Sequence, residues 1–206
     1  MIFPNRIFIT GTDTGVGKTV VSAILMKGLN GFYWKPIQSG IEEITDMAWV
    51  QEKTGLPEDH FFSETYRLTL PLSPHAAAAH DGVRIDLDSF HIPEINDSAH
   101  LIIEGAGGVM APLNESHLMT DLMKRVGAPV LLVARSSLGT INHTLLSLEQ
   151  LRRERIETLG VIINGPRNQE NKEAIEHYGK IMVVAEIEPI MDIDPQNLKI
   201  LFMHYF

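Results

Sequence analysis

The 206-residue sequence contains no cysteine. That absence removes disulfides, thiolate metal sites and cysteine nucleophiles together. Basic residues are scarce beside acidic ones: 17 Lys and Arg stand against 26 Asp and Glu, a formal net charge of −9. Such a balance argues against a nucleic-acid partner, because phosphate backbones are bound by surplus Lys and Arg. A small phosphorylated ligand remains open, since a local site can be positive inside an acidic protein. Long apolar runs are missing as well. Val130–Ala134 is far too short to cross a bilayer, and the stretch from Met1 to Arg6 has no signal-peptide pattern. The expectation is a cytoplasmic protein with no membrane partner. What is left, 44% hydrophobic and 21% charged, is ordinary for a globular chain long enough to close one core. One domain over residues 1–206 is expected.

Short apolar runs alternate with longer amphipathic stretches. Arg6–Thr10, Phe32–Lys35, His100–Glu104, Pro129–Ala134, Leu159–Asn164 and Ile181–Val184 read as strands. Several are apolar at consecutive positions, as expected when helices cover both faces of a parallel sheet. Between them, Lys18–Leu29, Asp46–Thr54, His117–Val126, Thr140–Ile156 and Asn168–Tyr178 read as helices, and Asp194-Pro195 has the pattern of a helix start. The stretch from Gly55 to Ile92 is the least regular. The fold class is α/β, with a mostly parallel sheet. In such sheets ligands sit beyond the carboxyl ends of the strands, and polar or Gly-rich residues gather there: Thr10-Gly11-Thr12, Lys35-Pro36, Glu104-Gly105, Arg135-Ser136 and Asn164-Gly165.

The strongest motif is Gly11-Thr12-Asp13-Thr14-Gly15-Val16-Gly17-Lys18-Thr19, between a strand and a helix. Backbone N–H groups of such a loop point at phosphate oxygens, and the helix N-terminus adds positive potential. Lys18 is expected on the β- and γ-phosphates and the Thr19 hydroxyl on Mg²⁺. The match to the standard phosphate loop is imperfect, because Thr12 stands where its first Gly would be. The motif says nucleoside triphosphate and nothing about the reaction.

Three further segments narrow the reading: Lys35-Pro36-Ile37-Gln38-Ser39-Gly40, Glu104-Gly105-Ala106-Gly107-Gly108-Val109, and Leu138-Gly139-Thr140-Ile141-Asn142-His143. Together with the phosphate loop they make the chain similar to the dethiobiotin synthetase family, from about Arg6 to Pro189. The resemblance implies a P-loop NTPase fold and an ATP- and Mg²⁺-dependent ligase acting on 7,8-diaminopelargonate and CO₂ as a homodimer. It implies Lys35 and Lys18 as catalytic residues. Thr14, Ser39 and the loop Leu138, Gly139, Thr140, Ile141 and Asn142 fall on the substrate, the loop reaching across the dimer. Nucleotide contacts fall on Gly15, Val16, Gly17, Lys18, Thr19, Val20, Asp46, Glu104, Gly105, Ala106 and Gly107. For the base they fall on Asn164, Gly165, Glu188, Pro189 and Ile190. Mg²⁺ wants hard oxygen ligands, and Thr19, Asp46 and Glu104 supply them. Asp46 also stands at a helix start, where a carboxylate has a purely structural use. The family's segment closing over the base departs here, with Ala185-Glu186-Ile187-Glu188-Pro189 carrying Ala for Gly and a displaced Pro.

The rival reading is a nucleotide-switch ATPase related to chromosome-partitioning proteins. Those carry an extra lysine early in the loop, where this chain has Thr12, Asp13 and Thr14, and they lack the Lys-Pro-x-x-Ser-Gly segment. A glutamine-dependent amidotransferase would need a cysteine nucleophile. A non-catalytic nucleotide-binding relative is disfavoured by the presence of Lys18, Lys35, Ser39 and Glu104.

Overall fold

A computed structural model describes residues 2–42 and 44–206; Met1, part of the opening stretch read above, and Glu43 lie outside the described residues. In chain order the elements are β1 (Arg6–Gly11), α1 (Lys18–Leu29), β2 (Phe32–Trp34), β3 (Ile37–Ser39), α2 (Asp46–Thr54), β4 (Phe61–Phe62), β5 (Tyr66–Leu68) and α3 (Pro74–His80). There follow β6 (Leu101–Glu104), α4 (Met119–Val126), β7 (Val130–Arg135), α5 (Thr140–Arg153), β8 (Thr158–Asn164), α6 (Gln169–Gly179), β9 (Val183–Ile187) and α7 (Pro195–Tyr205). The main sheet has seven strands in the order β4-β2-β6-β1-β7-β8-β9, and every pairing in it is parallel. A separate parallel pair, β3 and β5, lies beside it.

Consecutive apolar residues in the strands are explained by two cores. Side chains alternate across a sheet with a period of two. Phe8, Val130 and Leu132 therefore enter one core, with Leu122 of α4 and Leu148 of α5. Ile7, Ile9, Leu131 and Val133 enter the other, with Ile24 of α1 and Leu198 of α7. A run that alternated polar and apolar residues would leave one side of the sheet wet.

α7 packs closely on α1. A Cβ added at Gly28 would lie 1.9 Å from Cγ of Phe202, so that glycine makes room for the ring. Phe202 also joins Phe3 and Phe206 in an aromatic cluster. α7 starts as the sequence suggests, with the Asp194 carboxylate accepting from the N–H groups of Gln196 and Asn197.

Several boundaries differ from the sequence reading. α5 stops at Arg153, because Arg155 takes a left-handed φ of 56°. β9 begins at Val183 and continues to Ile187, where pairing of Asn164 with Ile187 carries it on past Val184. α4 begins at Met119, after the Leu118 N–H is taken by the Asp121 carboxylate at 2.8 Å. The irregular stretch holds β4, β5 and α3; its strands are two and three residues long, too short for periodicity to reveal.

Candidate active site

The sheet order brings the phosphate loop, Glu104 and Lys35 together. β6 lies between β1 and β2, with Ile9 opposite Glu104 and Trp34 opposite Ile103. Glu104 thus ends its strand beside the loop that leaves β1, and Lys35 follows β2 on its other flank. The loop turns into α1 through Gly17, whose φ of 99° favours glycine. A Cβ there would also meet the Asn164 amide nitrogen at 2.0 Å. Asn164 Nδ2 donates to the Val16 carbonyl at 3.0 Å, tying the end of β8 to the loop.

Five side chains converge. Thr19 Oγ1 stands 2.9 Å from Asp46 Oδ1 and 2.9 Å from Glu104 Oε1. Lys35 Nζ bridges the same two carboxylates, 2.6 Å from Asp46 Oδ2 and 3.0 Å from Glu104 Oε1. Lys18 Nζ donates to the Asp13 carbonyl at 3.0 Å. Glu104 and Lys35 are buried, at 0% and 4% exposure, so their charges need each other. Burial alone would lower the Lys35 pKa, yet the carboxylates of Glu104 and Asp46 outweigh it and the net direction is up. Burial pushes Asp46 up, but Lys35 and the Thr19 hydroxyl hold it below the ordinary value. Lys18 is lowered from 10.5 to about 8, chiefly by burial, with Glu104 acting in the opposite sense.

A cavity of about 650 Å³ opens over this cluster, lined by Thr14, Gly15, Gly17, Lys18, Thr19, Val20, Lys35, Ser39, Asp46, Glu104, Ala106 and Gly107 among others. Ser39 Oγ is buried and has no partner among the described residues, as expected of a hydroxyl that serves a ligand. Val16 is in the core and offers only its backbone near the site. Gly105 packs on Phe8 and donates its N–H to the Ile9 carbonyl at 2.9 Å, so it supports the strand end. Asn164, Gly165, Glu188, Pro189 and Ile190 lie at the ends of β8 and β9 and do not line this cavity; Gly165 N donates to the Ile187 carbonyl at 2.8 Å, which sets the two segments side by side. The stretch Leu138, Gly139, Thr140, Ile141 and Asn142 does not line the cavity of its own chain.

The helix-start reading of Asp46 and its site reading hold together. The cap of α2 is Thr45, whose hydroxyl accepts from Ala48 N, which frees the Asp46 carboxylate to face Thr19 and Lys35. Sequence reading missed Tyr33, whose hydroxyl donates to Glu104 Oε2 at 2.9 Å. It also missed Gln38, which accepts from Asp46 N at 3.1 Å and donates to the Ser39 carbonyl at 2.9 Å. Arg135, which the sequence marks only as a strand end, pairs with Asp13 at 2.5 Å. Tyr33 was findable, being two residues before Lys35 on the same strand side; Gln38 and Arg135 act across gaps that no local pattern records.

A family model described as an AAA domain matches residues 5–197. An ATP-dependent dethiobiotin synthetase of Paramagnetospirillum magneticum is 50% identical over 184 residues, 89% of this chain and 88% of its own. Another, of Rhodopseudomonas palustris, is 44% identical over 200 residues, 97% of this chain and 93% of its own. The chain belongs to the dethiobiotin synthetase family. A biotin biosynthesis bifunctional protein of Bordetella avium is 47% identical over 94% of this chain, which spans 41% of that longer protein. Among solved structures, a ParA family ATPase from Chlorobium tepidum superposes with a TM-score of 0.52 at 11% identity, over 97% of this chain and 99% of that one. The MinC:MinD complex of Aquifex aeolicus gives 0.51 at 14%, over 96% and 86%. At those identities the rival switch ATPases share the fold and nothing more is implied.

The residues of this dethiobiotin synthetase family member fit both groups that an ATP-dependent reaction needs. Gly15 and Gly17, with φ of 71° and 99°, leave backbone where phosphate oxygens approach. Thr19 Oγ1, Asp46 Oδ1 and Glu104 Oε1 form a cluster of hard oxygens of the kind Mg²⁺ prefers. Among the described residues no group of three or more His, Cys, Asp or Glu forms a separate metal site, and no helix is long and apolar enough to cross a membrane.

Proposed function

We propose that this protein, working as one ligase domain in the cytoplasm, closes the ureido ring of dethiobiotin from 7,8-diaminopelargonate, CO₂ and ATP. The observation that carries the reading is the meeting of Lys35, Ser39 and the phosphate loop in one cavity, within a chain that is 50% identical to a dethiobiotin synthetase.

In the first step one amine of the substrate attacks CO₂, and loss of a proton leaves a carbamate. A carbamate oxygen then attacks the γ-phosphorus, ADP leaves, and a carbamic–phosphoric anhydride forms. The second amine attacks the anhydride carbon, phosphate leaves with the bonding pair, and the last N–H proton is released as the ring closes. Phosphoryl transfer spreads negative charge over oxygens, so the protein's part is positioning and electrostatic stabilisation. Lys18 and Lys35 provide the positive charge. Ser39, with its unpartnered hydroxyl, and Thr14 are suited to hold the amine or the carbamate. Thr19, Asp46 and Glu104 would hold Mg²⁺, which when bound neutralises phosphate charge. Gly15 to Val20, with Ala106 and Gly107, would cradle the phosphates. Asn164 and Gly165 with Glu188 to Ile190 would receive the base; one N–H of the Asn164 amide is used on the Val16 carbonyl, and its second N–H and its oxygen can still donate and accept.

The substrate's carboxylate is served by a second copy of the chain. Leu138 is fully exposed, and Leu146 and Met110 are more than half exposed. The last two line a second cavity of about 350 Å³ between the phosphate loop and α5. An isologous dimer would cover this apolar surface and bring the N-terminal N–H groups of the partner's α5 to the substrate end of the site. To test the reaction itself, the enzyme is given ¹³C-bicarbonate, ATP and 7,8-diaminopelargonate, and the product is weighed. The proposal expects one labelled carbon in a cyclic urea; an unlabelled or absent product would refute it.

A further inference from the structure

Glu104 has no exposed surface, so each oxygen of its carboxylate must find a partner inside the protein. Oε1 faces the cavity, with Thr19 Oγ1 at 2.9 Å and Lys35 Nζ at 3.0 Å. Oε2 faces away and accepts from the Tyr33 hydroxyl at 2.9 Å. Tyr33 is fully buried on β2. Its ring packs against Phe61 with centroids 6.0 Å apart, and it does not line the cavity. The hydroxyl is therefore held by packing rather than by anything that enters or leaves the site.

We infer that Tyr33 is a positioning residue for the metal site: by gripping Oε2 it fixes the rotation of the Glu104 carboxylate, so that Oε1 faces the cavity beside Thr19 Oγ1 and Lys35 Nζ. The inference rests on the reading of Glu104 as a Mg²⁺ ligand. Two features separate it from simple core packing. A phenylalanine would fill the same volume, so the hydroxyl is not needed for packing. Its partner is the one ligand of the cluster that comes from the centre of the sheet, where no water can replace the bond. Outer partners that orient a ligand commonly change metal affinity by about 10- to 100-fold when removed.

The test uses the full chain and Mn²⁺ as the probe metal, titrated in the presence of saturating ADP and followed by the electron paramagnetic resonance of free Mn²⁺. Wild type, Tyr33→Phe and Glu104→Gln are compared, and ADP binding is measured separately in chelator by calorimetry. Thermal melts check that each variant folds. Tyr33→Phe is expected to weaken Mn²⁺ by about tenfold or more, while metal-free ADP affinity stays within about twofold of wild type. If Glu104→Gln weakens Mn²⁺ and Tyr33→Phe does not, the role of Tyr33 is refuted and the metal reading stands. If neither variant changes Mn²⁺ affinity, the metal reading falls and the inference with it. Equal losses of Mn²⁺ and metal-free ADP affinity in Tyr33→Phe would mean general damage to the site and would also overturn it.

Discussion

At the scale of single residues, Lys35 has two duties that pull in different directions. It supplies positive charge to the proposed reaction, and it neutralises Asp46 and Glu104 at 2.6 and 3.0 Å. Lys35→Ala is expected to lower turnover by about a hundredfold or more, the scale of losing a preorganised electrostatic contact. It should also destabilise the protein by about 3 kcal/mol, since breaking a buried pair strands the remaining charges. Melting with and without Mg²⁺ checks the second part: the dication should restore most of the lost stability, and equal melting in both conditions would contradict it. Ser39 gives a milder case. Its hydroxyl is buried without a partner among the described residues, so Ser39→Ala should leave stability nearly unchanged and raise the KM for the diamine by about five- to tenfold, the worth of one hydrogen bond. A KM shift for ATP alone would move Ser39 to the nucleotide. Lys35 and Ser39 are legible in the sequence because each stands at or just past a strand end beside a proline or glycine. Tyr33 shows in the sequence only as a neighbour of Lys35, because its partner Glu104 is set by sheet order, and Gln38 does not show, because its partner Asp46 opens a helix placed across a gap.

At the scale of elements, the helices that carry the site were legible because their ends are chemically marked. α1 and α2 match the sequence reading to the residue, with Lys18 entering from a glycine loop and Thr45 capping Asp46. β3 and β5 were not legible: each has three residues and, among the described residues, pairs only with the other. The packing of α1 on α7 offers a test that sequence propensity alone would get wrong. In an exposed helix interior, Gly→Ala gains about 1 kcal/mol. At Gly28 the added Cβ would lie 1.9 Å from the Phe202 ring, and overpacking costs about 1–3 kcal/mol. Gly28→Ala is therefore expected to lower the urea midpoint. In a Phe202→Leu background the same change should cost much less, because residues in contact are not additive. The same cost in both backgrounds would refute the contact.

At the scale of the whole molecule, a parallel seven-stranded sheet with helices on both faces follows from strands that are apolar on both sides. Which strand neighbours which did not follow from the sequence, although the site depends on β6 lying between β1 and β2. The proposed dimer is testable by mixing two inactive variants, Lys35→Ala and the double variant Gly139→Trp with Asn142→Ala. If each site takes Lys35 from one chain and the loop from the other, a mixed dimer keeps one sound site. Full random exchange then restores about a quarter of wild-type activity, as pairing in a closed two-fold dimer requires. No recovery after verified exchange would place each site within one chain. The central claim is that the phosphate loop serves ring closure, and one measurement addresses it directly: ADP release with 7,8-diaminopelargonate and bicarbonate, each omitted in turn. The account predicts slow release when either is missing and fast release, equal to dethiobiotin formed, when both are present. Rapid ADP release that ignores the diamine would contradict it.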